Sequence, residues 1–305
     1  MLGVLVPAAN HLLEATRGLD RTLRELLQAP MEARLAEGRR AFSESLRAWR
    51  RASAFRAGPF GESKAFLQAA FWPARSEAID AVLASAPSVD ARLVAGLGVD
   101  RRGLFALEYV LFGQQSERAL LEDTRRLSFS VELSKNILGY AERLARLLGD
   151  GRDYLIRLKR SEQSSIHELV AQTVDSSEIL IGKIRRIERA KPGEALPRLV
   201  EAYHAGLSRE LALELLAGTR ALYDEGLGKL VELTAPAVHE RVNQRFTLAE
   251  RHLDALARPL DQALSSDPRA FTECASALKA LELALKLEMA NALGVSLVFS
   301  GVDGD

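Results

Sequence analysis

The sequence predicts an all-α protein built as two helical bundles in tandem, and three observations predict it. Leu, Ala, Arg and Glu dominate a chain with only 10 prolines and 6% aromatic residues, a helix-forming composition. Apolar residues recur at three- and four-residue spacing, and no segment alternates for long enough to anchor a strand. Breaks rich in Gly, Pro, Ser and Asp then divide the chain into about eight to ten helical segments.

The N-terminal stretch MLGVLVPAANHLLEATRGLD is briefly apolar, without a basic leader or a cleavage site, so it does not read as a secretory signal. The next helix is expected over roughly Met31 to Arg56, with Leu35, Phe42, Leu46 and Trp49 on one stripe. Breaks follow at 58–61, 85–90, 96–103, 148–153, 191–197, 264–268 and 300–305, with Ser88 and Asp267 placed as helix N-caps. Near the C-terminus Leu278, Leu281, Leu285 and Met289 again share one helical face. The break at 148–153 falls close to mid-chain. It gives an N-terminal bundle half over 1–150 and a C-terminal half over 151–305, each of about four helices, within one unit.

Composition excludes several classes of function. Lys plus Arg (41) balance Asp plus Glu (41), so charge gives no argument for nucleic acid or an anionic membrane as partner. The run RAWRRASAFR (47–56) reads as a solvated helix face. The one cysteine, Cys274, allows no internal disulfide and reads as a small buried residue rather than a nucleophile. No run of about 18 apolar residues occurs that would cross a bilayer. The sequence contains no G-x-S-x-G, no H-E-x-x-H, no P-loop and no dinucleotide fingerprint. The closing Asp-Gly-Asp lacks the carboxylates and terminal glutamate of a calcium loop.

Three acidic or histidine pairs at helical spacing are candidates for a site. In RRGLFALEYVLFG (101–113), Phe105 and Glu108 stand one above the other on a nearly all-round apolar helix, entered through Gly103. A histidine at 105 would make a metal pair. A carboxylate in such a helix must be paired or bound to a cation, and Arg50, Arg75 and Arg102 are the expected partners in the simplest reading. His11 and Glu14 form a true His-x-x-Glu, and Glu77 and Asp80 offer hard oxygen ligands at the same spacing. The other histidines, His167, His204, His239 and His252, sit singly with no shared ligand spacing.

Several stretches resemble, in this order, the imelysin-like family, also catalogued as the M75 peptidases. They are LRAWRRASAFRAGPFG (46–61) with FWP (71–73), RRGLFALEYVLFG, and LGVSLVFSGVDGD (293–305), together with the second-half helix SRELALELLAGTRALYDEGLGKLV (208–231). The resemblance spans nearly the whole chain. It implies an all-helical fold of two bundle-like halves from an old duplication, in bacterial proteins exported to the periplasm or held as outer-membrane lipoproteins. Many members are iron-regulated or encoded with iron-uptake systems.

The family's hallmark is Gly-x-His-x-x-Glu, proposed to bind metal. Here Gly103 and Glu108 match it and Phe105 stands at the histidine position. A phenyl ring has no lone pair to offer, so the metal-binding half of the motif is lost. The resulting expectation is an exported, non-catalytic binding component of the envelope tied to iron uptake. Its cleft would be formed by Gly103, Phe105 and Glu108 and lined by Trp49, Arg50, Trp72 and Pro73. Its partner would be a small molecule, a peptide or an envelope protein, with no nucleic acid, and a lipid anchor would sit on the native N-terminus.

The rival expectation is a metal-binding protein or metallopeptidase that gathers Glu108, Glu77, Asp80, His11 and Glu14 around iron, zinc or calcium. A third is a purely structural interaction protein with a closed core around Glu108. No cofactor follows from the sequence itself.

Overall fold

A computed structural model describes residues 2–56, 63–113, 116–150, 162–190 and 194–296, and every regular element among them is helical. The chain is an all-α protein. Helices α1 (Leu2–Gln28) and α2 (Glu32–Ala52) form an antiparallel pair whose register is fixed by small residues. Gly38 lies opposite Leu23, 3.1 Å from where its Cβ would be, and Thr16 Oγ1 meets Ser45 Oγ at 3.3 Å.

Short helices α3 (Ala65–Ala69), α4 (Ser76–Ser85), α5 (Ala91–Gly96), α6 (Leu104–Phe112) and α7 (Ser116–Glu122) follow, before the long α8 (Thr124–Asp150) returns along α1. There Ser134 Oγ donates to the buried Asp20 at 3.0 Å. The second set comprises α9 (Glu162–Glu188), α10 (Leu196–Leu199) and α11 (Ser208–Leu222). The last continues through the π-helical turn Tyr223–Leu227 into α12 (Gly228–Thr234). After it come α13 (Pro236–Ala255), α14 (Leu260–Ser266), α15 (Pro268–Leu283), a π-helical segment Ala284–Met289, and α16 (Ala290–Ala292).

Two apolar cores hold these helices. One is built on Leu19, Leu23, Phe42, Trp49, Leu104 and Phe129, the other on Ile184, Leu215, Tyr223, Phe246, Phe271 and Leu285. Complete burial of such side chains contributes about 1.5–3 kcal/mol each. The cores are laced together. Leu5, Ala54 and Phe55 belong to the second, while Ala202 and Leu211 belong to the first. Helix α11 meets the end of α2 at Gly218, where a Cβ would lie 2.6 Å from the Arg51 carbonyl oxygen. Only a glycine lets the two backbones approach so closely.

The expected stripes are buried in full: Leu35, Phe42, Leu46 and Trp49 in the first core, Leu278, Leu281, Leu285 and Met289 in the second. Cys274 is completely buried, and burial pushes its thiol up to about 12, as suits an inert core residue.

Other expectations need correction. Helix α2 stops at Ala52, with the Ser53 N–H bonding back to Trp49 and Arg50. Arg50 is 6% exposed, so the arginine run is not simply a solvated face. Asp267 caps α15 as expected, accepting from the Ala270 N–H at 3.0 Å, with Pro268 opening the helix. For α5, however, the cap is Asp90 rather than Ser88, because the carboxylate reaches the Leu93 N–H at 2.8 Å and Ser88 only supports it. The breaks at 58–61 and 300–305 lie outside the described residues. Of the break at 148–153, α8 runs on through Asp150 and 151–153 lie outside the described residues.

Candidate functional site

The site is built where α6, α2 and α9 converge on the segment 200–207. Gly103 begins α6 at φ +81°, ψ −166°, a backbone region open only to glycine, and a Cβ there would stand 2.4 Å from the Ala69 carbonyl oxygen. The close backbone approach expected of Gly103 is real, but it is made to the end of α3. Phe105 is 2% exposed in the first core, among Leu104, Ala106, Leu107, Val110 and Leu111.

Glu108 is 3% exposed, and among the described residues no arginine is paired with it. The expected partners are all engaged elsewhere: Arg50 with Glu201, Arg75 with Asp100, and Arg102 with the Ala95 carbonyl at 2.7 Å. Glu108 instead accepts the Ala205 N–H at 3.0 Å and a second backbone hydrogen bond from His204. The segment that presents these amides turns through left-handed backbone at Ala202 (φ 54°) and Gly206 (φ 66°). Such turns aim successive N–H groups at one anion. Glu108 therefore fastens the 200–207 segment onto the first core.

Burial pushes the Glu108 carboxyl up to about 7, against the two amide bonds and with the Glu201 charge adding to it. The folded chain then holds this proton in a range where the unfolded chain has released it. Stability from this group is present below about pH 4.5 and is lost as pH rises to about 7, by an amount on the order of 3 kcal/mol. Glu108→Gln, neutral at every pH, is expected to lie close to wild type in melting temperature at acid pH. It should become progressively the more stable of the two toward pH 8. A constant gap across that range would refute the raised carboxyl.

Next to this anchor lies a buried ionic triad. Glu201 bonds Arg50 of α2 on one side and Lys183 of α9 on the other, the latter at 2.9 Å. Burial opposes the Glu201 charge, yet Arg50 and Lys183 together hold it below the usual carboxylate range. Burial and the Arg50 charge lower Lys183 to about 8, with Glu201 holding it up. Trp72 covers the triad, its ring 5.6 Å from the Lys183 ammonium and 5.3 Å from the Arg186 guanidinium. Trp72, Lys183, Glu201, Leu199, Ser208 and Leu260 line a crevice of about 20 Å³, room for about one water. Pro73 follows Trp72 through a cis peptide bond and is half-buried.

On the other side of α6, Tyr109 donates to Asp80, and Arg126 pairs with the same carboxylate at 3.3 Å while lying over the Tyr109 ring. Tyr109 also meets the His204 ring edge-on at 5.6 Å. The candidate metal ligands are thus dispersed. Asp80 is engaged in this cluster, Glu77 is exposed, His11 pairs with Glu44 at 3.1 Å, and Glu14 pairs with Arg17 at 2.8 Å.

Among the described residues no three His, Cys, Asp or Glu side chains are placed to share a metal ion. The donors at Glu108 do not fit a divalent cation either. Its carboxylate is turned to N–H donors, is proton-bound up to about pH 7, and stands beside a phenyl ring.

Glu201 and Lys183 escape the sequence reading, and His204 enters it only as a single histidine with no shared ligand spacing. One signal was there for Lys183, a cation flanked by Ile181, Gly182 and Ile184. Glu201 in VEAYHAG carried none, because its value lies in meeting α2 and α9.

Fold and site together define an all-helical protein of two interlocked cores, stapled by buried ionic and amide contacts at their junction. The imelysin family model matches residues 5–287, and the chain belongs to the imelysin family. An imelysin-like protein from Psychrobacter arcticum 273-4 superimposes with a TM-score of 0.83 at 16% identity, over 97% of this chain and 94% of that one. The "putative iron-regulated protein A precursor" of Parabacteroides distasonis ATCC 8503 superimposes with a TM-score of 0.80 at 15% identity, over 95% and 90%. No curated protein matches at the level of sequence. Among the described residues no helix is long and apolar enough to cross a membrane.

Proposed function

We propose that this imelysin-family protein is an exported, non-catalytic binding component of the bacterial envelope that serves iron uptake. The observation that carries the reading is the state of the family motif. Phe105 replaces the metal-binding histidine, and Glu108 is committed to the amides of Ala205 and His204 rather than to a cation. The connection to iron and to export draws on the relative from Parabacteroides distasonis, whose name gives it as iron-regulated and as a precursor.

In this reading 1–150 and 151–305 act as two halves of one unit, and binding takes place at their junction. Trp49, Arg50, Trp72 and Pro73 stand there, beside rather than around the buried Gly103, Phe105 and Glu108. The bound partner is a small molecule, a peptide or an envelope protein, and a lipid anchor is carried on the native N-terminus. The metallopeptidase alternative has the family's peptidase name in its favour, but among the described residues no three His, Cys, Asp or Glu side chains are grouped to hold a metal.

Metal content measured by mass spectrometry tests the reading, on protein purified without chelator and again after incubation with iron and zinc. Wild type and Glu108→Ala are both expected to lack stoichiometric metal. About one metal per chain in wild type, lost in Glu108→Ala, would overturn the metal-free reading. Phe105→His is likewise expected to gain no tight site. Tight zinc or iron binding by that variant would show that the remaining ligands of the family motif persist.

A further inference from the structure

A cavity of about 220 Å³ opens between the end of α2 and α3, on the far side of Arg50 from the triad. Three cations line it, Arg50, Arg56 and Lys64, together with the aromatic rings of Trp49 and Phe66 and the side chain of Leu67. No carboxylate is among its described lining residues. Trp49 and Phe66 pack edge to face at 5.5 Å, forming one firm wall. Leu67 is 59% exposed and leaves an apolar lip in solvent.

Two buried donors in this wall have no acceptor. Trp49 is 2% exposed and its indole N–H is unpartnered. Arg50 gives Nη2 to Glu201, but its buried Nε–H is unpartnered as well. Both nitrogens are sealed from solvent and so lie behind the cavity wall rather than in the open space. Burial and the Arg50 charge lower the pKa of Arg56 while the Asp175 and Glu201 charges raise it, and its Nε–H bonds the Ser53 carbonyl at 3.0 Å. Lys64 stands exposed at the mouth. The cavity is smaller than the roughly 300–1,000 Å³ that takes drug-sized ligands.

We infer that this cavity binds a small organic anion, a carboxylate or phosphate group on an apolar body. The charged end lies between Arg56 and Lys64, and the apolar part lies against Phe66 and Leu67. The exposed Arg56 and Lys64 at the rim disfavour a metal ion and favour an anion. The inference rests on the reading of the chain as a binding component and names the class of its ligand.

Calorimetric titration and tryptophan emission of the full chain test it, with benzoate, phenyl phosphate and uncharged benzamide as ligands at matched ionic strength. Benzoate or phenyl phosphate is expected to bind saturably and to change the emission, and whichever binds more tightly identifies the anionic group. Benzamide is expected not to bind. Lys64→Gln and Arg56→Gln should each weaken binding at least about tenfold, with little change in melting temperature because both side chains sit at the rim.

Equal binding of all three compounds, binding by none at millimolar concentration, or affinity unchanged in both variants would overturn the inference. Failure here stays separate from failure of the function proposed above. Metal content and cell fractionation test that reading without using the cavity.

Discussion

Glu201→Gln is expected to cost about 3–5 kcal/mol of folding stability. Both partners of this carboxylate come from elsewhere in the chain, Arg50 from α2 and Lys183 from α9, and the Arg50 and Glu201 side chains are 7% and 9% exposed. A glutamine keeps the shape of the side chain. It leaves the buried Arg50 and the partly exposed Lys183 facing each other with no countercharge. Urea unfolding measures the effect.

A control separates the net value of the triad from the penalty of breaking it. Replacing all three charges together, Arg50→Met, Lys183→Met and Glu201→Leu, is expected to recover most of the loss, because no buried charge is then stranded. A loss below about 1 kcal/mol for Glu201→Gln would mean that solvent reaches the triad and that it does not staple the cores.

Gly103→Ala is expected to be comparably damaging, by about 3–5 kcal/mol, for a reason that involves no charge. The added methyl meets the Ala69 carbonyl oxygen at 2.4 Å, and the backbone at φ +81°, ψ −166° is itself closed to alanine. Neither side can yield cheaply, since Ala69 ends α3 and Leu104 begins the buried α6. A lowered urea midpoint with unchanged far-ultraviolet helicity is the expected outcome. A variant as stable as wild type would show that the turn into α6 can be rebuilt. In this chain the glycine at 103 serves the packing of α6 on the end of α3, because its close contact is with backbone.

The helices themselves were legible because periodicity is local. Leu35, Phe42, Leu46 and Trp49 declare a buried face by spacing alone, and so do Leu278, Leu281, Leu285 and Met289. The apolar surroundings of Glu108 were legible for the same reason, since its neighbours on α6 are Leu104, Leu107, Val110 and Leu111. Its partner was not. The sequence offered arginines, whereas the fold answered with main-chain amides of Ala205 and His204, groups that every residue except proline carries and that no residue type advertises.

The candidate metal ligands show the complementary failure. His11 with Glu14, and Glu77 with Asp80, have the right spacing on their helices, yet their helices point them at Glu44, Arg17, Tyr109 or solvent. Spacing along one helix fixes two side chains relative to each other and says nothing about a third.

By itself the sequence determined the all-α class, the family and the absence of a lone pair at position 105. Composition, repeat spacing and residue identity are sufficient for these. Only the tertiary structure decided that Glu108 anchors a loop and that Arg50 and Lys183 meet at Glu201. Each of these depends on groups distant in sequence being brought within hydrogen-bond reach and away from water. Short-range interactions of that kind exist only once the helices have packed.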